Sequence, residues 1–194
     1  MNKRFFWVVT GILLVVIVAT AIATIITHLP HSFYGSTINP PSAAPDFSLT
    51  NQNGQNVKLS AFRGKYVLLY FGYTHCTNEC PATMAVLAKA RTLLGTQAGE
   101  IQIVLVATDP ARDTPQAMGE FVDRFDPSFV GVTGSQAELA PVWAAYGVTV
   151  LDGGETHSSF IYLIDPGGNL LMTYPYPSTP EEIASDFKLL LRKN

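Results

Sequence analysis

Residues 66–81 read YVLLYFGYTHCTNECP. The first half, Tyr66–Tyr73, is a continuous apolar and aromatic run of strand length, the pattern of a central strand buried on both faces of an α/β protein. It leads into a loop, Gly72–Pro81, that holds both cysteines of the chain, Cys76 and Cys80. Pro81 then opens a helical pattern, ATMAVLAKARTLLG, with Gly95 as its stop. The thiols therefore stand where a strand ends and a helix begins, the place where open α/β sheets bind ligands. Unpaired N–H groups and the helix dipole favour thiolates there.

Downstream, Ile101–Ala107 (IQIVLVA) reads as a second buried strand, followed by the loop TDPARDTP, in which Thr114 caps and Pro115 opens another helix. Gln136–Tyr146 fits a third helix. SFIYLID, the turn DPGGN and LLMTY form a hairpin, and Thr179-Pro180-Glu181-Glu182 begins a last helix. Upstream, alternation in Asp46–Leu49 and Gln55–Leu59 around Asn53-Gly54 predicts a hairpin with a type I′ turn. This order implies a mixed sheet with helices on both faces, and it is also the thioredoxin-like order.

Toward the N-terminus the stretch Phe5–Thr27 carries no charged residue. As a helix it would extend roughly 34 Å, enough to cross a bilayer core of about 30 Å. Lys3 and Arg4 precede it, so residues 1–4 are expected in the cytoplasm, 5–27 as a transmembrane anchor, and everything beyond on the exported side of a bacterial inner membrane. A cleaved signal peptide is the competing reading, since Ala19, Ala21 and Ala23 offer small-residue spacing. Residues 28–44, HLPHSFYGSTINPPSAA, show neither helical nor strand period and read as a tether, leaving 45–194 as one exported domain. Of the 194 residues 47% are hydrophobic, and the net charge of −3 supplies no basic field for nucleic acid.

Three residues separate the cysteines, Thr77, Asn78 and Glu79, one more than in thioredoxin-type oxidoreductases. That spacing admits a structural disulfide, a redox couple or half of a metal site. Of the four histidines, His28 and His31 lie in the tether, and His75 adjoins Cys76 and reads as a loop residue. His157 sits immediately before the strand SFIYLID, which in a thioredoxin-like fold faces the thiol loop. Two thiolates and an imidazole would suit copper, Cu(I) in particular, and zinc would also accept them. Met84 could serve as a soft axial ligand, but its helical position favours core packing. Thr77 and Cys80 reproduce a TxxC spacing seen in peroxiredoxins, yet Tyr73 stands where that pattern expects proline.

FGYTHCTNECP, VATDPARDTP, WAAYGV and HSSFIYLIDPGG, in that order, resemble the Sco/SenC family of copper chaperones. The resemblance covers Ala44–Asn194 and implies a thioredoxin-like fold whose metal ligands are Cys76, Cys80 and His157. It further implies copper as the bound metal and delivery to the dinuclear CuA centre of cytochrome c oxidase, with the oxidase subunit carrying that centre as partner. An upstream copper donor or thiol reductant is a further expected partner. Thr77 departs from the proline that more usually follows the first cysteine. Asp109 and Asp113 match the acidic pair of the family's DPxRD segment, which suggests a role beside the site or a helix-capping loop. The alternative function is a membrane-anchored thiol-disulfide oxidoreductase, with Cys76 attacking and Cys80 resolving.

Overall fold

The computed structural model describes residues 7, 11–21, 32–154 and 156–192. The chain falls into two compact units, Met1–Ser32 and Phe33–Asn194. In the first, residues 11–21 are helical with exposed side chains. Among the described residues no helix is long and apolar enough to cross a membrane. The span expected over 5–27 extends on both sides beyond that helix, and there, Trp7 apart, it lies outside the described residues, as do residues 1–4, His28 and His31.

In the second unit the elements run β1 (Ser36–Ala43), β2 (Ser48–Asn51), β3 (Asn56–Lys58), β4 (Tyr66–Gly72), α1 (Glu79–Leu93), β5 (Ile101–Ala107), α2 (Pro115–Val122), β6 (Val130–Thr133), α3 (Gln136–Ala145), β7 (Val150–Leu151), β8 (Thr156–His157), β9 (Phe160–Ile164), β10 (Asn169–Pro175) and α4 (Pro180–Leu191). Eight strands form one sheet in the order β1-β10-β9-β4-β5-β6-β2-β3, and β7 and β8 make a separate ribbon. β4, β5 and β6 are parallel, whereas β9 runs antiparallel to β4. This is the mixed α/β arrangement expected.

Every residue of β4 is buried, because both faces of the strand are covered and successive side chains alternate between them. Tyr66 meets Phe187 of α4 edge-on at 5.5 Å, and Tyr70 reaches Cys80 of α1. Phe71, on the opposite face, packs against Tyr146 just past α3 at 5.4 Å and Tyr162 of β9 at 5.7 Å. Each such ring, moved from water to core, stabilises the fold by about 1.5–3 kcal/mol. Thr114 caps α2 by accepting from Ala117 N–H, and Thr179 with Glu182 forms a capping box on α4, as the sequence predicts.

Three local expectations are corrected. First, residues 36–43, placed by the sequence within the tether, form β1, which pairs antiparallel with β10 through Ser36↔Thr173, Thr37↔Met172, Ser42↔Leu170 and Ala43↔Asn169. It is an edge strand with mostly exposed side chains, so it carries no apolar alternation. Pro40 and Pro41 fall in the break of register, where no ladder N–H is required of them. Second, the β2–β3 turn is not type I′, which needs positive φ at both central residues. Gly54 (φ +74°) has it and Asn53 does not; Gly54 N–H closes the turn on Asn51 C=O at 2.9 Å, and the Asn51 carboxamide oxygen accepts from the N–H groups of Asn53 and Gln55. Third, α1 begins at Glu79, not Pro81. Pro81 still lies in the first turn, where an N–H has no helical partner to lose, and Cys80 becomes part of the helix.

Candidate metal centre

Cys76 lies in the loop after β4, its N–H directed at Tyr73 C=O (3.4 Å). Cys80 is in the first turn of α1, and its own N–H donates to Cys76 Sγ at 3.3 Å. Both thiols are free; Cys76 is half-buried and Cys80 fully buried. The two differ in electrostatics. Partial burial pushes the Cys76 thiol up, but the N–H groups of Cys80 and Asn78 aimed at its sulfur outweigh that and leave it below its ordinary value. Burial pushes the Cys80 thiol up to about 12, and the neighbouring Cys76 sulfur adds to the effect.

His157 reaches the thiols by topology. Because β9 is antiparallel to β4 and pairs with it at Tyr70↔Ile161, the residues entering β9 adjoin those leaving β4. His157 ends β8, paired with Val150 across the small ribbon, and its Nε2 lies 3.8 Å from Cys80 Sγ. Its ring stands edge-on to Tyr70 and Tyr73, with centroids at 6.2 and 5.9 Å. Nδ1 is 3.2 Å from Ser158 C=O. A carbonyl can only accept, so Nδ1 carries the proton and the Nε2 lone pair faces the sulfur.

A sulfur and an imidazole nitrogen bound to one ion at about 2.3 and 2.05 Å, roughly 120° apart, would be about 3.8 Å from each other. The Cys80–His157 pair stands at that separation. Among the described residues no three His, Cys, Asp or Glu side chains already form a cluster able to hold a metal ion. Two of the three expected ligands are thus at ligand spacing, and the third, Cys76, is tied to them through the Cys80 N–H.

The other candidates separate. Met84 is fully buried in the core. His75 meets Thr74 Oγ1 at 3.0 Å and borders an open depression with Glu120 and Arg124, away from Cys80. Asp109 is ion-paired with Arg112. Asp113 is buried and points at the thiol loop, accepting from Thr74 N–H (2.9 Å) and Thr74 Oγ1 (2.8 Å) while its second oxygen accepts from Asp109 N–H (3.2 Å). Sequence reading missed Tyr70, whose hydroxyl donates to Cys80 Sγ at 3.8 Å, and Gly154, whose carbonyl accepts from Thr108 Oγ1 at 3.0 Å. Tyr70 is indistinguishable in sequence from any other core ring of a buried strand. Gly154 had a signal, the Gly-Gly pair just before His157.

Comparison with known proteins places this geometry. Residues 35–192 match the model of the SCO1/SenC family. Protein sco1 of Schizosaccharomyces pombe is 32% identical over 160 residues, which is 77% of this chain and 61% of that protein, so the chain spans less than two thirds of its length. Arabidopsis thaliana ScoI, solved with copper bound, superposes with a TM-score of 0.72 at 29% identity over 79% of this chain and 100% of that one. BsSco, described as a member of the Sco family of cytochrome c oxidase assembly proteins in which a disulfide switch was identified, superposes with a TM-score of 0.66 at 26% identity over 79% and 96% of the two chains.

Proposed function

The chain belongs to the SCO1/SenC family, and on that premise we propose that it is a copper metallochaperone which takes the metal through Cys76, Cys80 and His157 and passes it to cytochrome c oxidase at the CuA site. The observation that carries the reading is the approach of His157 Nε2 to Cys80 Sγ at 3.8 Å from the far end of the sequence. The copper-bound relative and the oxidase-assembly description of BsSco support it. Two thiolates and an imidazole form a soft donor set suited to Cu(I). At neutral pH Cys80 is a thiol, so capture releases its proton to solvent. His157 brings its lone pair already oriented by Ser158 C=O. In this reading residues 5–27 anchor the chain in the inner membrane, with the Phe33–Asn194 unit on the exported side, which confines it to the same surface as a membrane-bound oxidase.

The test is copper stoichiometry of the reduced protein, wild type against His157→Ala. Wild type is expected to bind one copper per chain, and loss of the imidazole to weaken binding about 100-fold or more. Equal binding by both would remove the third ligand and with it this reading. One observation favours a second reading, thiol-disulfide oxidoreductase: the half-buried, thiolate-prone Cys76 beside a buried, proton-retaining Cys80 is the pairing of attacking and resolving thiols. It does not need His157, so a His157→Ala protein that still reduces a disulfide substrate at the wild-type rate while losing its biological role assigns that role to copper.

A further inference from the structure

Tyr70 is fully buried on the face of β4 that meets α1, and its hydroxyl has the Cys80 sulfur as acceptor at 3.8 Å. Tyrosines on the opposite face find oxygens instead: the hydroxyl of Tyr146 donates to Pro45 C=O at 2.8 Å and that of Tyr162 to Tyr146 C=O at 2.9 Å. A neutral thiol is a weak acceptor, and Cys80, pushed up to about 12 by burial, is a thiol in the metal-free protein at neutral pH. A buried hydroxyl on a weak acceptor costs free energy, whereas the same donor on a thiolate makes a charge-assisted hydrogen bond, shorter and about twice as strong. The contact is thus poor while Cys80 is protonated and good once its sulfur carries charge.

The surroundings hold Tyr70 in that arrangement. Burial, with the Cys80 sulfur adding to it, pushes the Tyr70 phenol well above its ordinary value, so it stays a donor beside a thiolate. Its oxygen accepts from the Thr83 hydroxyl, which leaves its own proton for the sulfur. Gly72, at the end of β4, lets ring and sulfur meet, since a Cβ there would stand 3.0 Å from Cys80 Sγ and 3.0 Å from Tyr70 Cε1. The same ring lies edge-on to His157 with centroids at 6.2 Å, so it borders two of the three proposed ligands.

We propose that Tyr70 is a positioning residue of the metal centre: its hydroxyl donates to the Cys80 thiolate when that sulfur binds copper, and by this contact favours Cu(I) over Cu(II). The proposal rests on the copper-chaperone reading. A thiolate sulfur keeps more negative charge on Cu(I) than on Cu(II), which draws electron density from it, so a hydrogen bond to the sulfur stabilises the cuprous state more.

The test compares wild type and Tyr70→Phe as reduced full chains. Cu(I) affinity is measured by competition with a chromophoric chelator, and Cu(II) affinity by titration of the thiolate-to-Cu(II) charge-transfer band. Loss of the hydroxyl is expected to lower the ratio of Cu(I) to Cu(II) affinity about tenfold, which is about 59 mV for a one-electron couple, and to move the band to longer wavelength. A role in packing alone would weaken both affinities together and leave ratio and band in place, and that result overturns the proposal. Tyr70 replaced by 3-fluorotyrosine keeps the shape and donates more strongly, so ratio and band should move the opposite way. That variant decides the question where Tyr70→Phe does not fold. Copper stoichiometry on the same samples keeps the two readings apart. Full uptake with an unmoved ratio sinks the role of Tyr70 alone, and a wild type that takes no copper sinks the chaperone reading and this role with it.

Discussion

Cys76 and Cys80 share a loop and a chemistry, yet their surroundings push their thiols in opposite directions. Thiolate is the reacting species toward an alkylating agent. With Cys76 held below its ordinary value and Cys80 raised to about 12 and buried, iodoacetamide at pH 7 is expected to give a single adduct on Cys76. The rate at Cys76 should reach half its maximum at a pH below that of an ordinary thiol, because a lowered pKa fills the thiolate earlier as pH rises. Peptide mapping of the adduct checks both statements, and equal labelling of the two cysteines in the folded protein contradicts them. The pair itself was legible in the sequence from its position between strand and helix. The thiolate form expected from the sequence at both positions holds for Cys76, where N–H groups surround the sulfur, and is corrected at Cys80, where burial under α1 outweighs the helix N-terminus.

The loop between β5 and α2, residues 108–114, holds the two halves of the site together. At one end Asp113 accepts from Thr74, two residues before Cys76; at the other Thr108 donates to Gly154, three residues before His157. Gly154 has φ +110°, and a Cβ there would lie 2.1 Å from Thr108 O, so only glycine lets the ribbon approach this loop. Gly154→Ala is therefore expected to push the β7–β8 ribbon outward. His157 ring signals in NMR should shift, with copper affinity lowered toward that of His157→Ala while Cys76 still alkylates. Asp113→Asn replaces an acceptor by an NH₂ group facing a donor, and is expected to cost about 1–3 kcal/mol in urea unfolding at pH 7. Burial holds the Asp113 carboxyl above its ordinary 3.8 in spite of the N–H groups of Thr74 and Asp109. The folded state then keeps a proton the unfolded chain has lost, so this group's contribution falls as pH rises from 3.8 through its raised folded-state value. The asparagine variant should lack that slope. Of this loop the sequence showed the Thr114 cap and the acidic pair, but not that the two aspartates diverge, Asp109 to Arg112 and Asp113 to Thr74.

At the scale of the whole domain, the fully buried Asp186 of α4 ties down the residues leading into β1, accepting from the N–H groups of Tyr34 (3.0 Å) and Gly35 (2.9 Å), and also accepts from the Tyr174 hydroxyl of β10 (3.1 Å). Asp186→Ala leaves these donors without their acceptor and is expected to destabilise by about 3 kcal/mol. Hydrogen exchange in β1 should accelerate more than in β4, since β1 is an edge strand held on one side only; uniform acceleration would deny the clamp. The sequence by itself determined the central strand, the existence of the helices, the caps of α2 and α4 and the placement of the thiols at a strand–helix junction, because hydrophobic period, proline and capping residues act locally. It pointed to His157 only through family resemblance. The tertiary structure alone decided the convergence of His157 on Cys80, the yoke of residues 108–114 and the pairing of β1 with β10. These depend on backbone hydrogen bonds and on the antiparallel entry of β9 beside β4, interactions between residues far apart in the chain that leave no local pattern.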